Sequence, residues 1–417
     1  MFSSLSLLFA IVRDRLLSVY VGVGPTLDIY NAAFRFPDLL YALLFALVTA
    51  GTVVPFLTEE DKKGDVIDPR QKMYSLSLFF AGVIGVLGGV IALTLPLYAH
   101  VIVPGFTDAQ VEQFIFATRM LLLQPFFLGL TSLVSCFSQL RNEFVLYGIS
   151  PLGYSLSIIA SILWLYPMYG LSGLLFGVVI GSIVSLIIQL FSFRNAKLHE
   201  VTYVYAFNHV KDLIRLALPR TGTNIVTQFR IIFFSGLATT FGGGVLTSFL
   251  FAQRITDAVA QLIQQSVITA SLPILSKDYV EGNNGEYSKI VRRYVVALGS
   301  IGIFTSVVLY IGKDFVIKLL YGVTGYNHVI SYFLVGFLLV LPLTMVSGYI
   351  ASSLYAAKDT KSVFISVGTG TVLAVIVGLY LRSLGVVSLF VSVIVWSVIH
   401  FLFSCYFYSK KKALLKP

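Results

Sequence analysis

The feature that most restricts this chain is a succession of apolar runs, each long enough to cross a bilayer, separated by short polar loops. A helix needs about 20 residues to span about 30 Å of hydrocarbon. Runs of that order lie near residues 1–21, 27–57, 73–103, 113–140, 144–166 and 170–193, and again near 212–241, 245–275, 290–320, 328–356, 362–381 and 385–408. Composition agrees: 57% of residues are hydrophobic and 12% charged, whereas soluble domains carry about a quarter charged residues. A water-soluble core cannot absorb that much apolar surface, so the surrounding solvent is lipid. The expected fold is an all-α integral membrane protein with about twelve transmembrane helices.

The net charge of +10 would suggest nucleic acid in a soluble protein. Here the basic residues fall in alternate loops, which makes them a topology signal. Lys62, Lys63, Arg70 and Lys72 follow the second run, Arg141 the fourth, and Arg194, Lys197 and Lys211 the sixth. Lys277, Lys289, Arg292 and Arg293 follow the eighth, Lys358 and Lys361 the tenth, and Lys410, Lys411, Lys412 and Lys416 close the chain. The intervening loops, Gly22 to Thr26, Gly105 to Ala109, Pro167 to Gly170 and Gly242 to Val245, hold no Lys or Arg. Both termini are therefore expected in the cytoplasm. The apolar stretch Met1 to Val12 lacks a basic leader region and a cleavage site, and reads as a retained helix.

The chain also repeats itself. Arg13 and Arg230 stand 217 residues apart, as do Gly105 and Gly322, Thr107 and Thr324, and Arg141 and Lys358. Arg35-Phe-Pro-Asp38 answers Arg254-Ile-Thr-Asp257, and Pro55-Phe-Leu-Thr58 answers Pro273-Ile-Leu-Ser276. With six spans in each copy, the two lobes, 1–205 and 206–417, enter from the same side and form two pseudo-symmetric six-helix bundles around a central cavity. Substrate is expected between them, moving by alternating access.

Four arginines then stand at a depth where charge is costly. Arg13 lies nine residues before Gly22, about 14 Å into the membrane at 1.5 Å per residue. Arg230 has a similar depth, and Arg35 and Arg254 lie roughly 10–14 Å below the outer boundary. An arginine at the centre of a membrane helix costs at least about 2.5–3.5 kcal/mol, so these side chains are expected to face protein or water. Local neutralisation is one explanation, because Arg35 with Asp38, and Arg254 with Asp257, are i,i+3 pairs. For either pair alone it is as good as a binding role. Taken together, Arg13, Arg35, Arg230 and Arg254 face Asp14, Asp28, Asp38 and Asp257, with Arg15, Arg119 and Arg220 nearby, and that balance favours an anion. Arginine suits phosphate or pyrophosphate, since its planar fork makes paired charge-assisted hydrogen bonds. Arg13 and Arg15 project about 200° apart, and Arg13 is preferred because Arg230 repeats it.

Other chemistry-bearing residues read as structural. Cys136 and Cys405 lie in apolar segments without CxxC spacing and are expected to pack. His100, His199, His209, His328 and His400 are scattered singly and read as interfacial or solvated. Gly82 to Gly89 and Gly242-Gly243-Gly244 lack the lysine of a phosphate loop and read as close helix packing and tight turns. Glu59-Glu60-Asp61, followed by Lys62-Lys63, reads as a solvated loop. No metal, cofactor, nucleic acid or enzymatic reaction is expected.

Arg13-Asp14, Asp28, Ala33-Phe-Arg-Phe-Pro-Asp-Leu-Leu40 and Val54-Pro-Phe-Leu57 together resemble the opening signature of the MviN/MurJ family of lipid II flippases. That family belongs to the multidrug/oligosaccharidyl-lipid/polysaccharide exporter superfamily. The resemblance continues through Val103-Pro-Gly-Phe106, Gln139-Leu-Arg-Asn-Glu-Phe144, Phe251-Ala-Gln-Arg254 and Ser271-Leu-Pro-Ile-Leu-Ser276, covering essentially the whole chain. It implies that Arg13 and Arg254 are cavity arginines, Asp28 a cavity aspartate and Arg35 a basic cavity position, gripping a pyrophosphate-sugar headgroup. It further implies a monomeric transporter of a polyprenyl-pyrophosphate-linked cell-wall precursor in the bacterial cytoplasmic membrane. The headgroup would cross while the lipid tail stays in the bilayer, and a membrane potential or ion gradient would reset the carrier.

This chain departs from the family pattern at Leu7 and Tyr41, where the family carries basic residues, and Arg230 is a candidate substitute. Family members often have fourteen helices against about twelve here. The repeat places the start of the seventh run before a position equivalent to Met1, which suggests an upstream start. An exporter of another lipid-linked oligosaccharide would use the same cavity, and a non-transporting scaffold for envelope synthesis is compatible with the missing arginines. A drug antiporter fits less well, because cationic drugs call for carboxylates in excess.

Overall fold

Glycines and prolines punctuate the chain where the apolar runs end, and the helices stop there. A computed structural model describes residues 2–48, 69–140, 144–191, 203–322 and 324–414. Pro55 to Thr58, the acidic loop Glu59 to Asp61, Lys62, Lys63, Arg141, Arg194, Lys197, His199 and Lys416 lie outside the described residues. So do the side chains of Leu7, Arg70, Lys72, Cys136, His209, Lys211, Arg220 and Lys412.

Among the described residues twelve helical rods follow one another. The first six are α1 (2–21, whose last turn Leu17–Val21 is a π-helix), α2 (25–48, in two segments Pro25–Ala33 and Arg35–Val48), α3 (Pro69–Ile102), α4 (108–140, broken at Leu122), α5 (144–169, with a π-turn at Ser161–Leu165) and α6 (Leu171–Leu190). The second six are α7 (Tyr203–Thr239), α8 (Val245–Val280), α9 (284–321, broken at Gly312), α10 (Asn327–Ala356), α11 (Thr360–Tyr380) and α12 (Val386–Leu414). Apart from the breaks at Phe34, Leu122 and Gly312 and a residue or two at the ends, all twelve expected runs are helical where they are described.

Among the described residues, nine helices are long and apolar enough to cross a membrane. The remaining rods, α1, α2 and α7, carry Arg13 and Asp14, then Asp28, Arg35 and Asp38, then Arg230. Intramembrane charge is thus carried by these three helices and, as Arg254 and Asp257, by α8, each of which needs protein or water rather than lipid along one face. The opposite regime is visible on α3, where Leu93, Leu97 and Val101 are 78–84% exposed. In water such a stripe would aggregate; in a bilayer it is the solvated face.

Contacts divide the chain into two compact units, Met1–Gln228 and Phe229–Pro417, and α7 contributes residues to both. In unit 1, α4 packs on α2, α3, α5 and α6, while α5 and α6 pair closely and α1 lies along α5. In unit 2, α10 packs on α8, α9, α11 and α12, α11 and α12 pair closely, and Gly378 of α11 faces Phe233 and Leu237 of α7. The same neighbours recur with every helix number raised by six. The 217-residue offset survives in detail. Pro125 and Pro342 fall in the central rods, and at the starts of those rods the same bond recurs, as the Gln110 side chain accepts the Thr107 N–H at 2.9 Å and the Asn327 side chain accepts the Thr324 N–H at 3.1 Å.

Small residues let these helices approach. A Cβ on Gly177 would overlap the Ser161 side chain, one on Gly173 would overlap the Leu165 carbonyl, and one on Gly302 would stand 2.8 Å from Pro342 Cα. The stretch Gly82 to Gly89 is a correction to the close packing expected there. Positions Gly82, Gly85 and Gly89 face open space, and Gly88 meets Leu40 at 3.9 Å. Gly82, Gly85 and Gly89 are exposed on the broad apolar face of α3, and among the described residues no neighbouring helix uses their small size. Gly242-Gly243-Gly244 does form the tight turn before α8. Gly244 has φ +88°, its α-carbon lies under the Tyr326 ring, and Tyr326 donates to the Gly243 carbonyl at 2.8 Å. A side chain is excluded there on both counts.

Buried serines join helices in both units: Ser150 with Ser185 at 2.6 Å, Ser138 with Gln189 at 2.9 Å, and Ser366 with Ser404 at 3.0 Å. Such hydroxyls supply directional contacts where apolar packing gives no preference over lipid.

Candidate functional site

Charge is held differently in each unit. In unit 1, Arg13 reaches back to its neighbour on α1: Nε and Nη2 both donate to Asp14 Oδ1, at 3.0 and 2.9 Å. The Asp14 carboxylate is buried while the Arg13 side chain keeps 22% of its surface exposed. Tyr30 of α2 and Tyr154 of α5 lie within electrostatic reach of Arg13. Tyr154 accepts a hydrogen bond from Gln124 Nε2 of α4 at 3.1 Å, and it also senses Asp38 and Tyr41 of α2. One phenol thus gathers side chains from α1, α2 and α4.

The break in α2 decides the role of Arg35. Helical backbone stops at Phe34 and restarts at Arg35, which strands carbonyls at the end of the first segment. Arg35 is 8% exposed, and its Nε and Nη2 donate to the Asn31 carbonyl at 3.3 and 3.2 Å. Its guanidinium therefore caps the broken helix. Asp28, one turn into α2, is fully enclosed. Tyr41 bonds Ser132 of α4 at 3.1 Å, a neutral contact where the family pattern is basic. Arg15 is exposed on α1, and exposed Arg119 donates to the Ala92 carbonyl of α3 at 2.9 Å.

In unit 2 the guanidinium of Arg230 on α7 lies over the Trp396 indole of α12, 3.7 Å from the ring centroid, with Phe234 at 6.0 Å. Its Nε is buried and makes no hydrogen bond among the described residues. Asp257 of α8 acts on it through space, is itself exposed, and shares a hydrogen bond with Gln253. The charge that acts on Asp257 therefore comes from Arg230 on another helix. Arg254 is half-buried on α8, with its guanidinium 5.8 Å from the Phe251 ring, which stacks on Tyr321 at 4.0 Å.

His400 departs from the expected solvated histidine. It is 6% exposed, its Nδ1 lies 2.9 Å from Ser366 Oγ, and its ring stacks on Trp396 at 5.3 Å. Four residues after Trp396 on α12, it falls on the same helix face, turned toward α11 and away from lipid. His100 and His328 are exposed as expected.

The structure thus brings Arg13 and Asp14 together with Tyr30 and Tyr154, and Arg230 together with Trp396, Asp257 and His400. Tyr154, Gln124, Trp396 and His400 carried no sequence signal beyond being polar or aromatic in an apolar run.

Comparisons with known proteins identify the family and the fold. Residues 17–417 match the family model for the lipid II flippase MurJ. A probable lipid II flippase MurJ of Rhizobium tropici is 24% identical over 371 residues, 86% of this chain and 69% of that protein. The lipid II flippase MurJ of Burkholderia cenocepacia is 24% identical over 310 residues, 70% of this chain and 58% of that protein. In fold, the chain superposes on a lipid II flippase MurJ in an inward closed conformation with a TM-score of 0.80 at 20% identity, covering 97% of this chain and 86% of the other. An inward-facing multidrug resistance MATE family transporter of the MOP superfamily gives 0.80 at 15% identity, covering 98% and 95%. A family match over nearly the whole length, joined to twelve helices in two six-helix repeats, places this chain in the MurJ lipid II flippase family of multi-pass membrane transporters.

Proposed function

We propose that this chain flips a polyprenyl-pyrophosphate-linked cell-wall precursor, lipid II, from the cytoplasmic to the outer leaflet by alternating access. Its two lobes, divided near residues 205 and 206, act as a monomer with both termini in the cytoplasm. Arg13, Arg230 and Arg254 grip the anionic headgroup. Arg35 fixes the bend of α2, and Asp28 supplies an enclosed counter-charge. Asp38 and Asp257 balance the arginines when the site is empty. The observation that carries this reading is the family match over residues 17–417. The Arg13 side chain keeps 22% of its surface exposed and the Arg230 Nε makes no hydrogen bond among the described residues, and both support it, since such groups can answer an oxyanion.

Complementation of a bacterium depleted of its own lipid II flippase tests it. Wild-type chain restores growth, while Arg13→Ala and Arg254→Ala fail at unchanged protein level. Growth restored equally by both variants removes the arginines from the mechanism.

One observation favours a second reading, export of a different lipid-linked oligosaccharide. At Tyr41 a phenol bonded to Ser132 replaces a basic family position, which weakens the pull on one part of the headgroup. Failure of the wild-type chain to complement, with transport of another lipid-linked sugar in vesicles, selects it.

A further inference from the structure

Among the described residues Arg230 has no carboxylate bonded to it. Among the described residues it makes no ion pair within 4 Å, and its guanidinium rests instead on Trp396, 3.7 Å from the ring centroid. Stacking covers one face of the planar cation and satisfies none of its N–H donors. Two donors in this stack, Arg230 Nε and Trp396 Nε1, are buried without a hydrogen-bond partner among the described residues. A buried donor left unsatisfied is costly, and two in one stack indicate a place shaped for an acceptor. The indole is itself fixed from below. His400 stacks on Trp396 at 5.3 Å, and Ser366 of α11 anchors His400 through Nδ1 at 2.9 Å. Gly370 of α11 completes the seat, since a Cβ there would lie 3.2 Å from the Trp396 carbonyl and 3.3 Å from Cδ1.

We infer that Trp396 is the positioning residue of an oxyanion site in unit 2, holding the Arg230 guanidinium flat so that its edge meets a phosphate or pyrophosphate oxygen. The inference rests on the headgroup reading above and adds a specificity element to it. A lysine would keep the attraction to the ring but lose the planar contact and the paired donors. Asp257 keeps its bond to Gln253 and acts on Arg230 only through space, so an incoming anion displaces no bonded partner.

The chain contains two tryptophans, and Trp164 on α5 is 70% exposed, far from any role in this stack. Trp164→Phe therefore leaves Trp396 as the sole indole reporter in purified, detergent-solubilised protein. Titration with inorganic pyrophosphate at constant ionic strength should change Trp396 emission saturably, and Arg230→Gln in the same background should abolish the change. Calorimetry should show Trp396→Leu binding pyrophosphate about tenfold to thirtyfold more weakly and Trp396→Phe within about threefold of wild type, because a phenyl face retains part of the cation–π attraction. Emission that ignores pyrophosphate, a response that survives Arg230→Gln, or Trp396→Leu binding as tightly as wild type overturns the inference. Each of these leaves the headgroup reading to be judged separately by the Arg13 and Arg254 complementation.

Discussion

Arg13 and Arg230 occupy the same register in the two repeats, yet they are held by different chemistry. Arg13 closes on a buried neighbour, Asp14, with two hydrogen bonds; Arg230 lies on an indole and faces its carboxylate, the exposed Asp257, across a gap. The difference shows that duplication preserved the scaffold while each copy settled its intramembrane charge independently. A bonded pair carries little net charge into its surroundings. A stacked guanidinium keeps its charge, because the quadrupole of an indole attracts a cation without neutralising it.

The largest effect should come from removing the carboxylates. Asp14→Asn leaves Arg13 largely enclosed without its bonded anion, and breaking a buried pair from one side costs about 3–5 kcal/mol. Asp257→Asn removes only a through-space partner, with no hydrogen bond to Arg230 to break, and should cost less than Asp14→Asn. Thermal unfolding of the two purified variants in one detergent measures the contrast. Equal losses would mean that both arginines are held alike.

Much of this was legible in the residues, and what was not has a physical cause. Apolar runs read as helices because lipid allows almost nothing else. The repeat was visible because charged and turn residues are rare enough in such a chain for a constant offset to stand out. Trp396 was not visible. Trp164 and Trp396 both sit in apolar helices, yet one faces outward and the other carries a guanidinium. Hydropathy cannot separate these cases, since lipid and protein interior are equally apolar. His400 was misread as solvated for the same reason, and Arg35 could not be seen as a cap until the break at Phe34 was known.

An intermediate effect tests whether the scaffold itself is common to both copies. Gly177→Ala in unit 1 drives a methyl into Ser161, and Gly302→Ala in unit 2 drives one toward the Pro342 backbone. Each should destabilise by about 1–3 kcal/mol. Gly82→Ala, on the open face of α3, should instead be neutral or stabilise by up to about 1 kcal/mol, since alanine is the better helix former. Denaturant titration of the three variants distinguishes these outcomes, and a silent Gly302→Ala would show that the second unit is packed more loosely than the first.

The smallest effect lies at the helix starts that the repeat preserves most faithfully. Gln110 accepts one N–H, from Thr107 at the head of α4. Asn327, its mate at the head of α10, accepts both the N–H and the hydroxyl of Thr324 and donates to the Gly322 carbonyl at 3.1 Å. A net hydrogen bond in such a setting contributes about 0.5–1.5 kcal/mol. Gln110→Ala should therefore lose about 0.5 kcal/mol and Asn327→Ala about twice that. The ordering matters more than either value: if Gln110→Ala proves the costlier change, the shared residue offset does not reflect a shared load, and the two central helices begin in different ways despite their matched sequence positions.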